Sequence, residues 1–174
     1  MNTIVLLVGE SGSGKTTVAN KLCEEHNLNQ VFSYTTRQPR YPNEPGHIFV
    51  SEEEFDKLEN VVAFTRYNKN LYCATEDQVD NSDIYVIDPA GIRYFKETYH
   101  GPKKTVIVRL RVDVKHRMYR MLDRGDNFDD VYKRIKTDDE CFAEVDEYVD
   151  YTIDNYDLDI CVNTLWNIIK KENN

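Results

Sequence analysis

The sequence predicts an α/β fold, a parallel sheet flanked by helices with an inserted substrate-binding subregion and a small lid. Three observations predict it. Apolar runs at 1–8, 84–87 and 105–110 are continuous enough for strands buried on both faces. Segments of helical spacing alternate with them, and that alternation calls for parallel strands joined by crossover helices. The polar stretch 33–75 breaks the alternation. The chain therefore divides into a core (1–32, 80–123 and 149–174), an inserted subregion (33–79) and a lid (124–148), all within one domain.

The elements follow in order. Residues 1–8 end in a β-branched and leucine run that meets a glycine loop. The spacing of Val18 and Leu22 predicts a helix over 16–25, and 31–34 reads as a short strand. Residues 37–46 are rich in Pro, Arg and Asn, too polar and broken for core, and belong on a loop at a functional edge. Ser51 with Glu54 three residues later forms a capping box for a helix over 51–58. Residues 61–67 and 70–74 pair as strands. The strand at 84–87 ends at Asp88 and Pro89, with a helix over 90–99. After the strand at 105–110, Asp113 caps a helix that Gly125 ends. A long charged helix is predicted over 128–148, a last strand over 151–153, and a closing helix over 158–171 carrying Ile160, Leu165, Ile168 and Ile169.

The 174 residues carry a formal net charge of −9, with 40% hydrophobic and 30% charged residues. That size buries a core without staples. The charge argues against broad nucleic-acid or anionic-membrane binding, which want a basic surface. It leaves room for an anionic substrate, because a few arginines and lysines reverse the potential inside a cleft. Cys23, Cys73, Cys141 and Cys161 have neither CxxC nor zinc spacing, and read as reduced thiols of a cytoplasmic protein. The N-terminal apolar run is too short to span a membrane.

Gly9, Glu10, Ser11, Gly12, Ser13, Gly14, Lys15 and Thr16 match GxxxxGK[ST] at every specified position, between a predicted strand and a predicted helix. Glycines let successive backbone N–H groups converge on one anion, and the helix N-terminus adds its partial positive charge. Lys15 is placed to reach the β- and γ-phosphates, and the Thr16 hydroxyl to ligate Mg²⁺. Thr17 completes the nucleotide-binding run. The pattern specifies a nucleoside triphosphate with Mg²⁺ on a P-loop NTPase-type sheet, and it does not say which reaction.

About twenty residues on, SYTTRQPR (33–40) sets Arg37 and Arg40 three apart in a Ser/Thr-rich turn. A guanidinium gives a phosphate two parallel hydrogen bonds, so the pair suits a phosphate monoester. Here the chain resembles the guanylate kinase family, which carries S-x-T-T-R-x-P-R after its P-loop, then a Glu–Gly segment, then FVS-x-E-E-F. This sequence has NEPG (43–46) and FVSEEEF (49–55). It has IDPAG (87–91) where the family has I-D-x-x-G. RMLDRG (120–125) with Arg134 resembles the family's lid arginines, and VDYTIDN (149–155) its closing strand. The likeness spans nearly the whole chain in the right order.

The resemblance implies that Ser33, Arg37, Arg40 and Tyr72 hold the acceptor monophosphate. It implies that Arg124 and Arg134 close over the transferring group, with Lys15 and Arg37 completing the catalytic set. Asp88 is implied at a strand end, there to read the acceptor base or to order Mg²⁺ through water. The implied activity is transfer of the γ-phosphoryl of ATP to GMP, dGMP or a related nucleoside monophosphate, by a monomer or homodimer.

The departures fall in the base pocket. With Tyr72 on the family's tyrosine, Ala63 stands where a base-reading Glu is usual and Ala74 where a Ser or Thr is. Val86 replaces an Asp two residues before Asp88, and the segment before Phe49 is two residues shorter, so the tyrosine usual there is absent or replaced by His47. Thr65, Asn68 or Thr75 are candidates to compensate. The alternatives are a P-loop kinase acting on another small or nucleic-acid acceptor, a regulatory NTPase, and a non-catalytic guanylate-kinase-like binding module.

Overall fold

The computed structural model describes residues 1–39, 41–67 and 69–174. In chain order β1 (Thr3–Val8) leads to α1 (Lys15–His26), then to the short strands β2 (Gln30–Val31), β3 (Ser33–Thr35) and β4 (His47–Phe49) and the single-turn α2 (Glu52–Phe55). The hairpin β5 (Val61–Tyr67) and β6 (Asn70–Thr75) follows, then α3 (Glu76–Asp80), β7 (Ile84–Val86), α4 (Pro89–Thr98) and β8 (Lys104–Arg111). The helices α5 (Val114–Asp123) and α6 (Phe128–Cys141) precede a 3₁₀ turn (Val145–Glu147), β9 (Tyr151–Asp154) and α7 (Leu158–Asn173).

Five strands form a parallel sheet in the order β2-β7-β1-β8-β9. The central β1 is buried from end to end. Its alternation sends Ile4, Leu6 and Val8 to a core with Ile92, Phe95 and Ile107 on one face. Val5 and Leu7 go to a second core with Val18, Leu22, Val108 and Leu165 on the other. Burying each of these side chains stabilises the fold by roughly 1.5–3 kcal/mol relative to exposure.

The inserted subregion forms its own mixed sheet, β4-β3-β6-β5, with β3 parallel to β4 and antiparallel to β6. Val62, Ala63 and Ala74 share the first core with Ile87 and Phe95, so this sheet is anchored to one face of the main one. Thr98 Oγ1 donates to Val62 O at 3.0 Å, which ties α4 to β5. Helix starts are fixed by side-chain caps: Asp88 accepts from Gly91 N–H (2.6 Å), Asp113 from His116 N–H (3.0 Å) and Asn127 from Asp130 N–H (2.9 Å). Each such cap stabilises its helix by about 1 kcal/mol.

The expected strand over 31–34 is two strands in different sheets: the chain leaves the main sheet after Val31 and enters the second at Ser33, with Phe32 exposed between them. The helix from Ser51 has both halves of its capping box but stops at Phe55, after which Lys57 and Leu58 bond back in tight i→i−3 turns. The helix expected to reach 148 ends at Cys141. Val145 is fully buried in the first core with Phe142 and Tyr148 packed against it, and the chain tightens into a 3₁₀ turn to bring them there. β4 and α3 are short elements that the sequence pattern does not mark. Among the described residues no helix is long and apolar enough to cross a membrane.

Candidate active site

The glycine loop joins the C-terminal end of β1 to the N-terminus of α1. Gly12 and Gly14 take φ values of 78° and 92°, a region side chains disfavour. Space excludes side chains too. A Cβ on Gly12 would lie 2.6 Å from the Arg117 carbonyl oxygen, and one on Gly14 2.6 Å from Asn155 Nδ2. The loop is braced from outside: Asn155 Nδ2 donates to Ser13 O (2.8 Å), and Arg120 Nη2 donates to Asn155 O (2.7 Å). Thr16 and Thr17 are exposed on the first turn of α1. Lys15 Nζ donates to the carbonyls of Gly9 and Glu10. Burial pushes its ammonium down to about 8, against the opposing pull of Asp138, Glu10 and Asp88. The Glu10 side chain turns away to accept from Arg109, which also donates to Asp146.

A cavity of about 280 Å³ opens beside this loop. Gly9, Ser11 and Lys15 line it from the loop, Ser33, His47 and Tyr72 from the inserted sheet, and Asp88 from the end of the β7 segment. Its remaining wall includes Ala63, Phe64, Thr65, Tyr85 and Val86, with Asp138 and Phe142 on the lid side. A second cavity of about 250 Å³ lies at Gly14 and Thr17 and is bounded by Arg120, Asn155 and Tyr156.

The acceptor-side residues come together in part. Ser33 Oγ and the Tyr85 hydroxyl are 3.3 Å apart, and the rings of His47 and Tyr72 meet edge-on at 5.6 Å. Arg37 lies over the Phe49 ring at 5.2 Å and donates both Nη atoms to Glu44, at 3.1 and 2.8 Å. Its guanidinium pKa is raised by Glu44 first, with the Tyr72 phenol also beside it. Arg40 and Asn68 lie outside the described residues. Arg124 and Arg134 meet on one carboxylate, Asp126, at 2.5 and 3.6 Å, and neither lines the cavity. Asp88 lines it while its Oδ1 caps α4. Thr65 faces the cavity, whereas the Thr75 N–H donates to Gln78 Oε1 at the start of α3.

Among the described residues no group of three or more His, Cys, Asp or Glu forms a metal-ligand set. The cysteines are all free, and burial pushes the Cys73 thiol up to about 12 and Cys23 and Cys161 up to about 11.

The family model for guanylate kinase matches residues 1–172. The chain belongs to the guanylate kinase family. Among curated relatives, the guanylate kinase of Anaplasma phagocytophilum is 31% identical, the match covering 99% of this chain and 88% of that protein. The guanylate kinase of Campylobacter jejuni (strain RM1221) is 29% identical, covering 89% and 82%. The crystal structure of the guanylate kinase from Anaplasma phagocytophilum superposes with a TM-score of 0.63 at 26% identity, over 99% of this chain and 87% of that one.

This guanylate kinase family member carries site residues that sequence reasoning missed. Arg117 of α5 is 3% exposed and packs its backbone against Gly12. Asp138 of α6 accepts from the Ser11 N–H at 2.8 Å. One sequence signal points to the first: Arg117, Arg120 and Arg124 recur at i, i+3 and i+7, which puts three guanidiniums along one helix face. Asp138 is one acid in an acidic helix, and nothing local marks it.

Proposed function

We propose that this chain is an ATP-dependent nucleoside monophosphate kinase that transfers the γ-phosphoryl group to GMP, dGMP or a related nucleoside monophosphate. The observation that carries the reading is the shared cavity. Gly9, Ser11 and Lys15 of the loop line the same space as Ser33 and Tyr72 of the inserted sheet and Asp88; Arg37 stands outside that lining, on Glu44. The second cavity, at Gly14 and Thr17, offers the donor nucleoside a place on the far side of the loop.

The glycine loop, a half-buried Lys15 and an exposed Thr16 at the start of α1 fit a Mg²⁺-bound triphosphate. Bound there, ATP·Mg²⁺ supplies the transferable phosphoryl group and part of its charge neutralisation. Lys15 neutralises the β- and γ-phosphates, and Thr16 offers the metal its hydroxyl. Ser33, Arg37, Arg40 and Tyr72 hold the acceptor phosphate. Its attacking oxygen is already ionised near neutral pH, so positioning and charge stabilisation suffice without a strong base. Glu44 holds the Arg37 fork in place, so little rotamer freedom is lost when a phosphate arrives. Arg124 and Arg134 leave Asp126 to close over the transferring group. Closure excludes water and so suppresses hydrolysis.

A coupled assay with ATP over a panel of nucleoside monophosphates tests the reading. Turnover with at least one monophosphate, weakened at the acceptor by Arg40→Ala, is expected. ATP hydrolysis indifferent to every monophosphate overturns it. The apolar wall at Ala63, where the family has a carboxylate, favours one second reading, a non-catalytic binding module. Calorimetric ATP binding with no transfer to any nucleotide supports that instead.

A further inference from the structure

The loop side of the cavity contains an arrangement that the roles above leave unused. The Ser11 N–H donates to Asp138 Oδ2 at 2.8 Å, and the Ser11 hydroxyl donates to Oδ1 at 3.3 Å. The same Oδ2 accepts from Arg117 Nη1 at 3.1 Å. Arg117 is buried, and its Nε has no hydrogen-bond partner among the described residues. One anionic oxygen, delivered by α6, therefore sits where a loop amide and a buried guanidinium converge. These are the partners a phosphate oxygen seeks.

We infer that Asp138 Oδ2 marks a position for an oxygen of the donor triphosphate, and that Arg117 is a further triphosphate-binding residue which Asp138 keeps neutralised. The inference rests on reading Gly9–Thr16 as the ATP site. The Ser11 amide has one N–H to give, and a phosphate oxygen at the Oδ2 position cannot coexist with the carboxylate oxygen there, so carboxylate and phosphate exclude each other at that point. On exchange Arg117 keeps a counter-charge, and a phosphate with several oxygens can also meet the unpartnered Nε. Asp138 passes to water, and α6 loses its hold on the loop. Arg134 lies one turn earlier on the same helix, so ATP arrival frees the segment that carries a lid arginine. The family likeness pointed to Arg124 and Arg134 and did not single out this pair.

Calorimetric titration with ATP and, separately, with inorganic tripolyphosphate tests this on the wild type, Asp138→Ala, Asp138→Asn, Arg117→Met and the Arg117→Met/Asp138→Ala double variant. Removing the competing carboxylate raises the binding-competent fraction, so Asp138→Ala is expected to bind both probes about tenfold more tightly, and Asp138→Asn by a smaller factor. Arg117→Met is expected to weaken both, and to cancel most of the Asp138→Ala gain in the double variant. If circular dichroism shows Arg117→Met unfolded, Arg117→Lys takes its place, with a smaller weakening because it keeps the charge and loses the fork. Wild-type ATP binding with Asp138→Ala no tighter overturns this inference alone. A gain fully retained without the Arg117 guanidinium overturns the role given to Arg117. No ATP binding by either the wild type or Asp138→Ala removes the donor-site reading along with it.

Discussion

At the loop end of the main cavity the shape is set by the main chain, through the positive φ of Gly12 and Gly14, and is braced by Asn155 and Arg120. At the other end they are side chains: Ser33, Ala63, Thr65 and Tyr72 of the small sheet and Val86 of β7 line the cavity, and Ala63 is buried and apolar. A backbone-built site survives substitution of its neighbours, because its chemistry lies in a conformation. A site built from side chains can change preference with a single replacement. On the proposed function, the loop end is the conservative half of the site and the wall that would face the acceptor base the adaptable half.

The contrast breaks most visibly at Lys15. Lys15→Ala is expected to lower phosphoryl transfer by about 10³-fold or more with the melting temperature nearly unchanged. Steady-state kinetics beside a thermal melt check both parts. Gly12→Ala combines a strained φ with a 2.6 Å approach to a backbone oxygen, and should destabilise by about 2 kcal/mol or more in urea unfolding. If Gly12→Ala is as stable as the wild type, the loop is not the rigid half.

Ala63→Glu sharpens the other side. A carboxylate there gains a charge-assisted bond to the guanine amine, so preference for GMP over IMP should rise by about tenfold. The KM for ATP should barely move. Removing the α6 cap with Asn127→Ala should cost about 1 kcal/mol in chemical denaturation and leave both binding ends intact.

The smallest effect is protonic. Burial holds the Lys15 pKa at about 8, below its ordinary value, so the unfolded chain binds more protons between that pH and about 10.5. This group's contribution to stability therefore rises with pH across that window, and its penalty is complete below it. Bound phosphates favour the charged form, so ATP binding at about pH 8.5 should take up a fraction of a proton. Buffer-dependent calorimetric heats read that uptake, and Lys15→Met should abolish it.

Much of this was legible in the sequence. The β1–loop–α1 unit declares itself through a continuous apolar run, fixed glycines and helical spacing. Caps at Ser51 and Asp113 were readable as local chemistry. β4 was not, because three residues between a Pro–Gly turn and a polar helix start carry no period. The end of α6 at Cys141 depends on burial of Phe142, Val145 and Tyr148 in a distant core. The Ser11–Asp138 contact spans 127 positions of sequence, and no local pattern encodes it. The sheet change at Phe32 likewise depends on partners far along the chain.

One titration reaches the central claim, that both anion-gripping surfaces serve a single space. Adenosine and guanosine joined through five phosphates span donor and acceptor sites at once. This account predicts one molecule bound per chain, more tightly than ATP or GMP alone, with Lys15→Ala and Arg37→Ala each weakening it. Two molecules bound per chain, or an affinity no better than that of ATP and untouched by Arg37→Ala, would contradict it.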